Sequence, residues 1–490
     1  MPIKNQIQLI TYPDSLGGDL RALRHVLDKY LAGACGGGVH ILPPFPSSGD
    51  RGFAPLTYLE IEPKFGSWDD IRRIGERFDV MLDLMVNHIS RHSAYFQDFL
   101  KHGRGSEYAD LFITVDKVWP DGDPPQEEVQ GIFLRRVEPF STFEIHHTGE
   151  VERVWTTFGR ETPSEQIDLD MKSPAARQLL EDFLVSFSKH KVKMVRLDAV
   201  GYVVKKPGTT CFFVEPEIYD YMEWISNLAR SLGLELLPEV HAHHSAQYRL
   251  AERGYWIYDF ILPYLVLDAL LYKRSQKLKK HLLERPAKQF TMLDCHDGIP
   301  VKPDLDDLVE IDEARQLVEV CLERGANLSR IFSTTHRDPS GFDVHQIRIS
   351  YYSALGCDDD AYLAARAIQF FAPGVPQVYY VGLLAGVNDV EGVRLAGGDG
   401  RAINRHNYTL PEIDEAVQTP VVQRLIRLML FRNSYSAFDG SFQVLQSDDN
   451  GLRLSWQKAE KTCSLHVDLE TGRSVIVYVD DAGESVEYCV

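Results

Sequence analysis

The sequence predicts an α/β protein built on a (β/α)8 TIM barrel, with inserted loop domains and a C-terminal antiparallel β domain. Three observations carry that prediction. Eight short apolar runs alternate with amphipathic helical patterns, two connections are far longer than an ordinary βα loop, and after about residue 436 the apolar spacing changes to period two. No Gly-x-Gly-x-x-Gly follows the first run, which argues against an open dinucleotide-binding sheet.

The eight runs are Gln8–Tyr12, Gly38–Leu42, Val80–Val86, Val192–Asp198, Glu235–Val240, Trp256–Leu262, Phe290–Asp294 and Gln377–Val381. Two helices flank the middle of this series. Ser173 caps and Pro174 opens a helix whose Leu179, Leu180, Phe183, Leu184 and Phe187 form one apolar stripe. A second covers Glu217 to Leu232, with Ile218, Met222, Ile225 and Leu228–Ala229 on one face and Gly233 as its stop.

The long connections set the domain plan: barrel over 1–88, 169–297 and 353–435, one insertion over 89–168, a second over 298–352, and a β domain over 436–490. The last region alternates Leu452, Leu454, Trp456, then Leu465, Val467, Leu469, then Val475, Val477, Val479, with turns at Glu470-Thr471-Gly472 and Asp481-Ala482-Gly483.

The 490 residues carry a formal net charge of -19, which excludes a phosphate-polymer or anionic-membrane face and leaves any phosphorylated substrate to a few local cations. The seven cysteines are scattered, odd in number and never spaced Cys-x-x-Cys, so neither a disulfide framework nor a zinc site is expected. The start lacks a signal-like apolar core, and Pro373, Pro376 and Gln377 interrupt the most apolar long segment, 364–387. These features predict a cytoplasmic protein with no membrane or nucleic-acid partner.

Charge collects at strand ends. On a strand Val192–Asp198, alternation puts Arg196 and Asp198 on one face. A structural ion pair and a piece of active site both fit that pair. Glu239 and Asp297 follow two further strands, so three carboxylates face one barrel mouth, a set suited to an oxocarbenium-like transition state. A guanidinium beside Asp198 would keep it ionised, as a nucleophile needs, whereas a proton-donating Glu239 needs surroundings that raise its pKa.

Four segments, Asp83–His88, Arg196–Tyr202, Glu239–His241 and His296–Asp297, are similar in order and spacing to the four conserved regions of the α-amylase superfamily, glycoside hydrolase family 13. Segments 8–12, 38–43, 351–355 and 376–382 resemble its sucrose phosphorylase branch along nearly the whole chain. The resemblance implies Asp198 as nucleophile, Glu239 as general acid/base and Asp297 as transition-state stabiliser. It places Asp50, Phe53, His88, Arg196 and His296 around the glucosyl ring, and Arg135 and Arg401 on phosphate, with Arg136 an alternative to Arg135.

The loop Gly341-Phe342-Asp343-Val344-His345-Gln346 departs from that branch, where Leu-Asp-Leu-Tyr-Gln stands, by carrying His345 in place of Tyr. A cationic, two-donor side chain favours a phosphate-bearing acceptor. The loop resembles enzymes acting on sucrose 6F-phosphate, in which the matching Arg and His hold the acceptor's phosphate, and it makes Asp343, His345 and Gln346 binding residues. The implied reaction takes sucrose 6F-phosphate and inorganic phosphate to α-glucose 1-phosphate and fructose 6-phosphate, with no metal and no cofactor. The resemblance also allows a homodimer. Plain sucrose, glucosylglycerol and glucosylglycerate phosphorolysis remain alternatives in the same branch, and an α-glucosidase-like hydrolase or a non-catalytic sugar-binding protein are alternatives outside it.

Overall fold

The computed structural model describes residues 3–333 and 338–490. Each of the eight apolar runs overlaps a strand: β1 Gln8–Thr11, β2 Gly38–Ile41, β3 Val80–Met85, β4 Met194–Asp198, β5 Glu235–Pro238, β6 Ile257–Asp259, β7 Gln289–Thr291 and β8 Val375–Tyr379, the last two starting one and two residues earlier than their runs. They form one sheet in the order β6-β7-β8-β1-β2-β3-β4-β5, the cyclic order of a (β/α)8 barrel. Every residue of β1, β2, β3 and β8 is buried, as a parallel strand covered on both faces requires.

The chain forms two compact units. The first comprises Met1–His40, His241–Arg330 and Val344–Val490; the second comprises Ile41–Val240 and Ile331–Asp343. In the second unit, α1 (Pro174–Lys189) begins as the sequence predicts, with Ser173 Oγ accepting from the Ala175 amide and Pro174 in the first turn. Its stripe is buried, and Phe187 stacks on Phe45 at 5.6 Å between centroids. In α2 (Glu217–Ser231), Ile218, Met222, Ile225 and Ala229 are buried, and the chain leaves through Gly233 at φ 73°.

The connection after β3 makes two short ladders, His88–Ser90 with Gln166–Asp168 and Phe140–Glu144 with Val151–Trp155. Lys205, buried at 3% exposure, pairs with Asp168 at 2.8 Å and donates to Asn87 Oδ1 at 2.9 Å, tying the first ladder to the chain after β4.

The segment expected as one insertion over 298–352 is shared between the units. Ile299–Pro300, Asn327–Arg330 and Val344–Arg348 form a three-stranded antiparallel sheet in the first unit, whereas Ile331–Asp343 belongs to the second. There the Ile331 amide donates to the Asp343 carbonyl at 2.9 Å, and Ser333 Oγ donates to the Ile132 carbonyl at 3.2 Å.

The C-terminal sheet has five antiparallel strands in sequence order, and Leu452, Leu454, Trp456, Leu465, Val467 and Leu469 face inward as expected. The fourth strand is shifted by one. Ser474 and Ile476 are its buried residues, while Val475, Val477 and Val479 are half-buried. Consecutive β-branched residues satisfy either register, and the pairing Cys463↔Tyr478 and Leu465↔Ile476 selects this one.

Candidate active site

In the second unit, Arg196 is the hub. It is 3% exposed and lies beside Asp83 in the parallel register of β3 and β4. Its Nη1 pairs with Asp83 at 2.5 Å and with Asp198 at 2.9 Å, while Nη2 reaches Glu239 at 2.5 Å. One guanidinium therefore serves three carboxylates, two of them at the ends of neighbouring strands. Glu239 thus shares its guanidinium partner with Asp198 and Asp83.

Immediately after Asp198 the chain turns out of β4 through Ala199, a non-glycine residue in the left-handed region at φ 56°. Asp50 and Arg51 are also left-handed, at φ 49° and 50°, and deliver Phe53. Backbone held this way costs on the order of 1–3 kcal/mol per residue and clusters at binding sites. Gly52 is obligatory, because a Cβ there would stand 2.6 Å from the Pro43 carbonyl oxygen.

Phe53 is buried and lies under Arg196, 5.9 Å from its guanidinium carbon, and Asp50 faces Arg160 at 4.0 Å. His88 Nε2 bonds the Phe53 carbonyl at 3.0 Å, so Nε2 carries the proton and donates. Burial pushes the His88 pKa down, which keeps the ring neutral and leaves buried Nδ1 as an acceptor with no partner among the described residues. A hydroxyl group would be a matching donor.

Phe158 lies beside the His88 ring at 5.3 Å, and Arg135 lies over Phe158 at 5.9 Å. Arg136 is committed to local structure instead, donating to the carbonyls of Phe158 at 3.4 Å and Glu161 at 2.8 Å and to two hydroxyls. Of the two arginines left open by the sequence, Arg136 is thus the one bonded to this local backbone and hydroxyl network.

In the first unit, Asp297 collects cations. Arg401 Nη1 lies at 3.8 Å, Arg405 Nη2 at 3.7 Å and His296 Nε2 at 3.7 Å. Burial opposes its ionisation, yet His296, Arg401, Arg405 and His241 together hold Asp297 far below the usual carboxylate range. Arg405 Nε also donates to the His296 carbonyl at 2.9 Å. Gly298 follows because a Cβ would meet the Ile347 carbonyl oxygen at 2.5 Å, so only glycine admits the strand Val344–Arg348 at this point.

His345 sits in that strand at a β-bulge: Ser329 pairs with Gln346 and Arg330 with Val344, so the register with Asn327–Arg330 skips His345, whose carbonyl instead accepts from the Val301 amide at 2.9 Å. A bulge re-aims a side chain. His345 is 2% exposed, its Nδ1 donates to the Lys302 carbonyl at 2.6 Å, and its ring lies edge-on to His241 at 5.9 Å. Since Nδ1 holds the proton, Nε2 of the neutral ring can only accept; a phosphate oxygen there requires the imidazolium. Gln346 is buried next to it, and Asp343 lies in the second unit.

Sequence reasoning missed Asp83 as an Arg196 partner, although an acidic residue inside an otherwise apolar β3 was a readable signal. It also missed Arg405, whose Nη2 lies against Asp297.

Residues 6–260 match the family described as alpha amylase, catalytic domain. Over 490 residues, covering both proteins fully, the chain is 60% identical to a sucrose 6(F)-phosphate phosphorylase of Thermoanaerobacterium thermosaccharolyticum. A crystal structure described as sucrose 6F-phosphate phosphorylase from Thermoanaerobacter thermosaccharolyticum superposes with a TM-score of 0.98 at 60% identity, over 100% of this chain and 99% of the other. A glucosylglycerol phosphorylase of Marinobacter adhaerens is 43% identical over 99% of each chain.

Proposed function

The chain belongs to the α-amylase family, and from that membership we propose that it is a retaining phosphorylase converting sucrose 6F-phosphate and inorganic phosphate to α-glucose 1-phosphate and fructose 6-phosphate. The observation that carries the chemistry is the Arg196 bridge. A guanidinium spanning Asp198 and Glu239 suits the carboxyl spacing of about 5–5.5 Å used by retaining enzymes.

Asp198 attacks the anomeric carbon of the glucosyl group while Glu239 gives its proton to the departing fructosyl oxygen, leaving a β-glucosyl ester on Asp198. Phosphate then attacks the same carbon as Glu239 takes up its proton, and the second inversion restores the α configuration. Asp297, kept anionic by its ring of cations, opposes the positive charge that develops at the anomeric carbon. His88 and His296 address the glucosyl hydroxyls over the Phe53 ring. Arg135 and Arg401 meet phosphate, and His345, with Asp343 and Gln346, meets the acceptor.

Two features support the phosphorylated acceptor: the bulged His345, and the 60% identity to a protein of that activity. The test compares kcat/KM for sucrose 6F-phosphate and sucrose at equal concentration in phosphate buffer. Preference for the phosphorylated sugar, with glucose 1-phosphate as product, is expected. Equal or better use of sucrose would overturn the acceptor assignment, and glucose as main product would overturn phosphorolysis.

A further inference from the structure

Arg348 has no place in the reading above. It ends the strand that carries His345, and past the bulge, alternation puts it on the same face as Gln346, with Ile347 fully buried on the other. The position of a Cβ at Gly400 is only 3.4 Å from Arg348 Nη1, so the guanidinium lies against the backbone next to Arg401. Its charged neighbours are Arg401, Asp297, Asp399 and Arg405.

Among the described residues the Arg348 guanidinium makes no ion pair or hydrogen bond, and its Nε is fully buried without a partner. Burial and the facing Arg401 push its pKa down to about 10. A half-buried cation facing two other guanidiniums is unfavourable by itself, and an added anion reverses the sign of that interaction. Guanidinium forks on neighbouring arginines match the oxygens of a phosphate, whereas Asp297 and Asp399 repel one.

We propose that Arg348 and Arg401 together form a binding site for a phosphate dianion beside Asp297. The proposal rests on the phosphorolysis reading, and two sources supply the same chemistry: inorganic phosphate, or the 6-phosphate of the fructosyl group.

The test uses Arg348→Ala, Arg348→Met and Arg348→Lys in the full-length enzyme. KM is measured for inorganic phosphate, for sucrose 6F-phosphate and for sucrose, each with the co-substrate saturating. A rise of at least about tenfold in KM for one phosphate species in the Ala and Met variants is expected, with KM for sucrose unchanged and partial recovery in Arg348→Lys. The arm that moves identifies the source. Both phosphate arms staying within twofold of wild type, or KM for sucrose rising in step with them, would sink the proposal. Wild-type enzyme yielding no glucose 1-phosphate from any donor would fail the phosphorolysis reading instead. In that case calorimetric binding of inorganic phosphate, wild type against Arg348→Met, still decides the site: tenfold weaker binding in the variant supports it, equal binding refutes it.

Discussion

Asp198 and His345 carry the most exposed assignments. Asp198→Asn keeps the shape of the Arg196 pair but removes the nucleophile, so formation of glucose 1-phosphate should fall by roughly 10,000-fold or more while the fold is kept. A steady-state assay with a thermal melt on the same sample checks both halves. His345 carries the acceptor assignment, its ring held by the Nδ1 bond to the Lys302 carbonyl. His345→Tyr should therefore lower the ratio of kcat/KM for sucrose 6F-phosphate to that for sucrose by roughly tenfold or more; an unchanged ratio would mean that another group holds the acceptor's phosphate. The residue types at these positions were legible in sequence. The Nδ1 bond and the bulge were not, because each depends on a strand far away in the chain.

At the level of elements, acidic residues at strand ends are a weaker signal than the sequence suggested. Asp198 ends β4, and Glu239 and Asp297 follow β5 and β7, but Asp259 and Asp294 stand at comparable positions and are structural. Asp294 is buried against Arg366 at 2.7 Å. Asp259 ends β6, accepts from the amides of Ile261 and Leu262 at the start of the next helix, and pairs with Arg285 at 3.1 Å and His281 at 3.0 Å. Nothing in a linear sequence separates these carboxylates from catalytic ones; the distant Arg285 and Arg366 do. Burial opposes the Asp259 charge, but Arg285 and His281 hold its pKa below the normal range. A depressed folded-state pKa means that this stabilisation is complete above the unfolded value of about 3.9 and is lost as pH falls toward the folded one. Asp259→Asn leaves Arg285 buried without its counter-charge and should cost about 3–5 kcal/mol in denaturant melts at neutral pH, with the gap closing on acidification.

Across the whole chain, the alternation of strands and helices was legible because β1 to β8 are short, mostly apolar and regularly punctuated. The sharing of 298–352 between two units was not, since composition alone does not say which core a loop joins. The C-terminal sheet is packed into the first unit. The Trp456 indole donates to the Phe371 carbonyl at 2.8 Å, and buried Arg432 donates to the Phe370 carbonyl at 2.8 Å and the Asn5 carbonyl at 3.0 Å. Trp456→Ala should therefore destabilise the protein by about 3–5 kcal/mol while leaving the ratio of activities on sucrose 6F-phosphate and sucrose unchanged. A urea titration and a two-substrate assay test this together.

The Arg196 bridge has a consequence for proton stoichiometry. The proposed cycle starts with Glu239 protonated, so the single cation then faces two negative charges, those of Asp83 and Asp198. Once glucosyl transfer begins, the charge leaves Asp198 as an ester forms and appears on Glu239, so Arg196 faces the same total at both stages, shifted from one nitrogen to the other. The proton given to the departing sugar oxygen in the first half is replaced in the second by the one phosphate gives up, so the charge that Arg196 balances stays constant through the cycle.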